Sequence, residues 1–426
     1  MLVVVCIYLL VATIGYFKPG PGEKDRQVYA WVSSNYELGL LAAKGYNLSA
    51  VGITTSVQLK NCQVYIMAPP VYHILLTGVY AISGQNWRAL RLGPIFFGLV
   101  FLYACLALAV KFFQGQQRNW LLFFALTPMV LIFSVWNDLR GTTMGIVIIS
   151  YLCLVNYLET GELRWVIWSA VFFLLAFWID YMAFSIVPAM LLQVLLHPGL
   201  TSRERVVGFS ILVGSIGLAA LAAFAHFATL PGGVDWFITR FAERYSNRRP
   251  EISGGTYSIL DFISRQSIRF VTHFTPISII LAGWAFLAAI YKLMRRKLVS
   301  EAYNGYVKVN PYIALLVFFT WGVPSQLGIQ VAYIHPLFMY YFITFFAFAP
   351  VVGLDLISEK MRTLPTKKIF ITAVLAGFML ISVVRSVFNL TGGSLYDMAT
   401  GVKTPPAEIY TIEQLQQYTC RSWMLK

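Results

Sequence analysis

Apolar runs long enough to cross a bilayer recur along this chain from Leu2 to Val384. Inside lipid, every backbone N–H and C=O must find its partner within the protein, so such runs fold as helices packed side by side. Composition agrees, with 58% of the 426 residues hydrophobic and only 12% charged, where a soluble domain carries about 25% charged residues. The expectation is an all-α, polytopic membrane protein with about 11 transmembrane helices, each needing about 20 apolar residues to span.

Taken in order, the expected spans are 2–17, 92–113, 120–136, 141–158, a hairpin of two short helices over 165–196, 206–229, 270–291, 311–326, 335–356 and 369–384. Leu2 to Phe17 has no basic leader and no clear cleavage site, so it reads as a first membrane helix rather than a signal peptide. Val71 to Ile82 is apolar but too short to span, and reads as a helix that lies on the membrane or re-enters it. Residues 1–388 then form one transmembrane domain with long outer loops at 18–91 and 230–268, and residues 389–426 form a short outer tail.

The formal net charge of +14 comes from Lys and Arg placed between apolar runs, as loop anchors and lipid-phosphate contacts. It is not read as a nucleic-acid surface. Basic residues concentrate in 111–118, 203–205, 292–308 and 360–368, and the positive-inside rule makes that side cytoplasmic. Asp25, Arg88, Arg91, Asp138, Arg140, Asp180, the Arg-rich stretch 240–249 and His335 then share the outer face. Of the five cysteines, Cys6, Cys105 and Cys153 lie in apolar runs. Cys62 and Cys420 lie outside, as a disulfide or as two free thiols, and no Cys/His spacing of a metal site occurs.

The stretch of about 50 residues between the first span and Val71 calls for a role, because long ordered loops tend to be functional. Asp25 and Asp138 are carboxylates at the membrane boundary, each followed by Arg within two residues. Ionisable groups there are costly and mark function by default. Asp25 reads as a catalytic carboxylate or as the cap of a following helix. Asp138 reads as a second site carboxylate or as the partner of Arg140 in a turn. Arg88 and Arg91 precede a span, where Arg either grips a substrate phosphate or snorkels to head groups. Asp180 at the hairpin bend, Arg244 in the second outer loop, and His335 before Pro336 each have a substrate-binding and a structural reading. Tyr29 and Tyr72 could contact sugar, although boundary Tyr is common. Asn47-Leu48-Ser49 and Asn389-Leu390-Thr391 are glycosylation triplets, relevant only in a eukaryotic secretory membrane.

Three segments carry a resemblance to a known family. They are Asp25-Arg26-Gln27-Val28-Tyr29, Pro69-Pro70-Val71-Tyr72, and Gly84-Gln85-Asn86-Trp87-Arg88-Ala89-Leu90-Arg91-Leu92-Gly93-Pro94. In that order and spacing the chain resembles the GT-C superfamily of polyprenyl-phosphate-sugar glycosyltransferases, in particular the family-39 type of protein O-mannosyltransferases and aminoarabinose transferases. The resemblance covers residues 1–200 by motif and the remainder by topology. It implies that Asp25 is the catalytic carboxylate and Asp138 a supporting one. It further implies a polyprenyl-phosphate sugar as donor, a glycan, lipid or protein as acceptor, membrane lipids as surroundings and no nucleic-acid partner. Arg26 stands where the family has Glu, and a divalent metal ion as cofactor stays open.

The implied activity is sugar transfer on the outer or luminal face of a bacterial plasma membrane or of the endoplasmic reticulum. Two other classes stay in view: a transporter or flippase of a lipid-linked sugar, and a non-catalytic scaffold on the same fold. Transporters are marked by internal repeats and by polar groups near the midplane. No convincing repeat is found here, and the polar groups gather at one face.

Overall fold

The computed structural model describes residues 1–17, 71–84, 86–133, 139–228, 238, 259–295, 309–327, 336–361 and 363–390. The described residues are helical throughout, with no strand among them. In chain order the α-helices are α1 (Leu2–Tyr16), α2 (Val71–Ile82), α3 (Leu92–Phe112), α4 (Gln117–Ala125), α5 (Pro128–Phe133), α6 (Leu139–Thr160) and α7 (Leu163–Phe177). They continue with α8 (Val187–Leu196), α9 (Ser202–Ala228), α10 (Ile259–Phe274), α11 (Pro276–Met294), α12 (Pro311–Leu327), α13 (Ile343–Ser358) and α14 (Leu364–Leu390). Three 3-10 segments, Trp87–Arg91, Tyr181–Ile186 and Pro336–Phe342, lead into α3, α8 and α13.

Among the described residues, six helices are long and apolar enough to cross a membrane, and four more apolar helices run 10–17 residues. A count of eleven crossings stays an expectation. Val71–Ile82 forms a helix of 12 residues, as its length required. The hairpin over 165–196 also forms, with its bend at Asp180.

Two expected spans are redrawn. The run 120–136 is split, because the helix ends at Ala125 and restarts at Pro128; proline is disfavoured inside a helix but starts one well. The run 270–291 is also split. Phe270 to Phe274 close the amphipathic helix α10, and the span α11 begins at Pro276. Thr275 between them has φ 67°, and its hydroxyl accepts from the Ser278 N–H as an N-cap. Apolar residues flank the junction on both sides, so the break is marked in the sequence only by Thr272, His273 and the Thr275-Pro276 pair.

Close helix contacts fix the directions. A Cβ on Gly145 would stand 2.8 Å from the Phe101 nitrogen, so α6 lies directly against α3. Farther along the same pair, Lys111 Nζ donates to Asn156 at 2.7 Å and to Glu159 at 2.5 Å. Contacts 101 to 145 and 111 to 156 mean that α3 and α6 run parallel, so Leu92 and Leu139 start at the same end of the bundle. Glu159 also accepts from the Val309 N–H at 3.1 Å, which ties the entry of α12 to the opposite end. At that end Thr201 and Glu204 form a capping box for α9: Glu204 Oε2 accepts from the Thr201 N–H at 2.7 Å, and Thr201 Oγ1 accepts from the Glu204 N–H at 3.3 Å.

The core draws on both halves of the chain, and its second half is rich in aromatic residues. Phe274 stacks on Phe346 with ring centroids 4.3 Å apart, and Phe318 meets Phe348 at 5.5 Å. Helix α13 is buried almost along its length, so it is the central post. A Cβ on Gly353 would meet the Leu281 carbonyl at 2.1 Å; only glycine lets α11 approach this closely.

Candidate functional site at one end of the bundle

The end where α3 and α6 begin is built from helix ends and from the three 3-10 segments. Arg91 closes the first 3-10 segment, whose start is capped by the Asn86 side chain accepting from the Arg88 N–H at 3.0 Å. Its guanidinium is 3% exposed and donates through Nη1 to the carbonyls of Gly15 at 3.1 Å and Tyr16 at 3.0 Å. Those are carbonyls of the last turn of α1, which have no partner within the helix. Arg91 also lies over the Trp87 ring, 4.9 Å from its centroid, and Arg88 lies over the same ring at 5.5 Å. Arg88 is exposed. The two arginines therefore have different places: Arg91 is an internal strut, and Arg88 faces outward at the boundary.

Tyr72 on α2 is buried, together with Leu76, Thr77 and Tyr80 on the same helix. These residues seat α2 against the first 3-10 segment and the start of α3. A Cβ on Gly93 would meet the Leu76 side chain at 2.6 Å.

Asp180 sits at the bend between α7 and the second 3-10 segment. It is 6% exposed, and it is the one acidic side chain buried among the described residues. Its Oδ2 accepts a hydrogen bond from the Tyr341 hydroxyl. Ser185 Oγ, on the same bend, donates to the Trp321 carbonyl at 3.3 Å. The Trp321 ring lies 6.4 Å from that of Tyr341, and its indole N–H is buried with no partner among the described residues. Next to Tyr341, Tyr340 packs on the start of α6, where a Cβ on Gly141 would meet its ring at 3.4 Å.

Helix α10 adds cationic groups at this end. Arg265, Arg269 and His273 recur at four-residue spacing, on one face of the helix, and Arg269 is buried. Arg385 of α14 donates to the Val271 carbonyl at 2.6 Å. His273 Nδ1 bonds the Arg269 carbonyl at 2.8 Å. Burial, then the positive charges of Arg269 and Arg385, hold its imidazole down to about 4 against an ordinary 6.5.

Of the residues singled out in the sequence, Tyr72, Arg88, Arg91 and Asp180 are described, and all four lie at this end. Asp25, Tyr29, Asp138, Arg244 and His335 lie outside the described residues, as do Cys62 and Cys420. Arg140 is described in its backbone only, at the start of α6. The segment with Asp25 leaves from α1 and returns at α2, and the segment with Asp138 joins α5 to α6. Tyr341, Tyr340, Trp321 and Arg269 were not found from sequence. Each lies in an apolar or amphipathic helix where a single aromatic or basic residue gives no signal.

No family model matches the sequence, and no curated protein matches it. Solved structures do match in fold. ArnT from Cupriavidus metallidurans, bound to undecaprenyl phosphate, superposes with a TM-score of 0.56 at 12% identity, over 92% of this chain and 75% of that one. The Archaeoglobus fulgidus oligosaccharyltransferase in its apo form gives 0.51 at 12% identity, over 90% of this chain and 56% of that one. Its counterpart AglB, in complex with an inhibitory peptide and a dolichol-phosphate, gives 0.50 at 10% identity, over 96% and 61%. The chain thus spans less than two thirds of the archaeal proteins it resembles. At this identity the likeness speaks for architecture: the chain has the GT-C fold shared by these membrane proteins.

Proposed function

We propose that this protein is a membrane glycosyltransferase that takes a sugar from a polyprenyl-phosphate donor and passes it to an acceptor on the outer or luminal face. The observation that carries the reading is the gathering of polar groups at one end of the GT-C bundle. Asp180, Arg88, Arg91 and Arg269 lie there, and the helices flanking the Asp25 and Asp138 segments reach the same end. The opposite end carries Lys111, Arg118, Arg203, Arg205, Lys292 and Arg295 at or next to helix termini, and the positive-inside rule assigns it to the cytoplasm.

In this reading Asp25 takes the proton from the acceptor hydroxyl as that oxygen attacks the anomeric carbon. The bond from that carbon to the phosphate oxygen breaks, and the polyprenyl phosphate leaves with the electron pair. Arginines of this end stabilise the charge that develops on the leaving phosphate. Asp138 supports Asp25, and Asp180 accepts from a sugar hydroxyl. Among the described residues no group of three or more His, Cys, Asp or Glu comes together as a metal site, and the proposed steps use the chain's own carboxylates and arginines.

ArnT bound to undecaprenyl phosphate and AglB in complex with a dolichol-phosphate support a polyprenyl-phosphate donor. The test is purified protein in liposomes holding a radiolabelled polyprenyl-phosphate sugar. The reading expects label to leave the lipid, onto an acceptor or as free sugar. Label that stays on the lipid and crosses to the other leaflet instead contradicts it and makes the protein a flippase.

A further inference from the structure

We propose that the adjacent Tyr340 and Tyr341 are positioning residues that hold the Asp180 bend in register with the start of α6. Tyr341 does so through the Asp180 carboxylate, and Tyr340 through the start of α6. The inference rests on the glycosyltransferase reading and adds to it a pair of residues outside the sequence motifs.

The geometry follows from the 3-10 segment Pro336–Phe342. With 3.0 residues per turn, neighbouring side chains point about 120° apart. Two consecutive tyrosines on such a segment therefore reach two different elements. Tyr341 reaches the bend after α7, where its hydroxyl donates to Asp180 Oδ2. Tyr340 reaches α6 and packs on Gly141 at 3.4 Å from an added Cβ. Gly141 lies three residues beyond Asp138.

The contacts are made by side chains that cannot turn away. Tyr340 is 3% exposed and Tyr341 fully buried. The ring of Tyr341 sits beside Trp321, and Trp321 in turn accepts through its carbonyl from Ser185 on the bend. The bend is thus held at two points, five residues apart. A hydroxyl donating to a carboxylate makes one of the stronger hydrogen bonds available. Functional carboxylates need such fixed supports, because a site that is loose by 1 Å loses much of its rate.

A plain packing tie would explain the same contact with no role in turnover. Burying a carboxylate is costly unless it is well paired, and a neutral Asn would hold the bend at less expense. The two accounts differ in what the tyrosine hydroxyl controls.

The experiment compares wild type, Tyr341→Phe, Asp180→Asn and the double variant, full length in liposomes with a radiolabelled polyprenyl-phosphate sugar. It reads kcat, KM and the thermal unfolding midpoint. Positioning predicts that Tyr341→Phe, assayed well below its unfolding midpoint, lowers kcat by about 10- to 100-fold with KM within about twofold; the midpoint itself falls, because a donor to a buried carboxylate is removed. It also predicts that the double variant is no slower than Asp180→Asn alone, since both changes remove one coupled unit. Wild-type kcat in Tyr341→Phe, or losses that multiply in the double variant, overturns the assignment. Should Tyr341→Phe not fold, Asp180→Asn alone decides, and unchanged turnover there overturns it as well. A wild type that transfers nothing overturns the parent reading and this assignment together. That outcome differs from failure of the assignment alone, in which wild type is active.

Discussion

Arg91 donates to the carbonyl of Gly15 at 3.1 Å, across 76 residues of sequence. This one bond joins the end of the first membrane helix to the entry of α3, and the long segment between the two leaves and returns beside it. Arg91, read from sequence as a phosphate grip or as a residue that snorkels to head groups, thus ties the end of α1 to the entry of α3.

Arg91 and its neighbour Arg88 should therefore fail differently. Arg91→Ala removes the guanidinium donor from two carbonyls of α1, one buried and one partly buried, and should cost about 1–3 kcal/mol of stability. Arg88 is exposed, so Arg88→Ala should leave the unfolding midpoint unchanged and weaken donor binding. Thermal melts beside binding of a polyprenyl phosphate separate the two. Equal loss of stability in both variants would contradict the division.

His273 gives a pH dependence of definite sign. In the folded protein its imidazole is held at about 4, from an ordinary 6.5. Between those values the unfolded chain binds more protons, so stability is full above about 6.5 and declines as pH falls toward about 4. His197, held low by burial first, with Arg205 adding and Glu159 opposing, acts in the same direction. The unfolding midpoint should be lower at pH about 5 than at about 7.5, and His273→Gln should flatten part of that slope. A midpoint that rises on acidification would contradict the assignment.

Orientation is open to a direct check. In a background with the five native cysteines changed to alanine, Ser83→Cys and Gln116→Cys lie at opposite ends of the bundle. The positive-inside argument predicts that an impermeant thiol reagent added outside reacts at 83 and not at 116. The reverse pattern would put the polar end in the cytoplasm.

Much of the fold was legible because membrane helices write their length into the chain. Val71 to Ile82 is the clearest instance: 12 residues cannot span, and the helix forms at those bounds. The bend at Asp180 was legible for a similar reason, since a charge interrupts an apolar run. The break at Thr275 was legible chiefly in the Thr275-Pro276 pair, an N-cap followed by proline at the first helical position, set between apolar residues on both sides. Tyr341 was hidden differently. Its partner lies 161 residues away, and nothing local distinguishes it from the aromatic residues around it. Arg91 was legible as a polar residue at a helix entry, but its bonds to the Gly15 and Tyr16 carbonyls were not, because they depend on how two helices meet.

The central claim is that Asp25 performs the chemistry at this end. The most direct test is transfer from a radiolabelled polyprenyl-phosphate sugar by wild type beside Asp25→Asn, both shown to be folded and to bind donor. The account predicts label leaving the lipid in wild type and none in the variant. Equal transfer by both would contradict it and make Asp25 a structural residue.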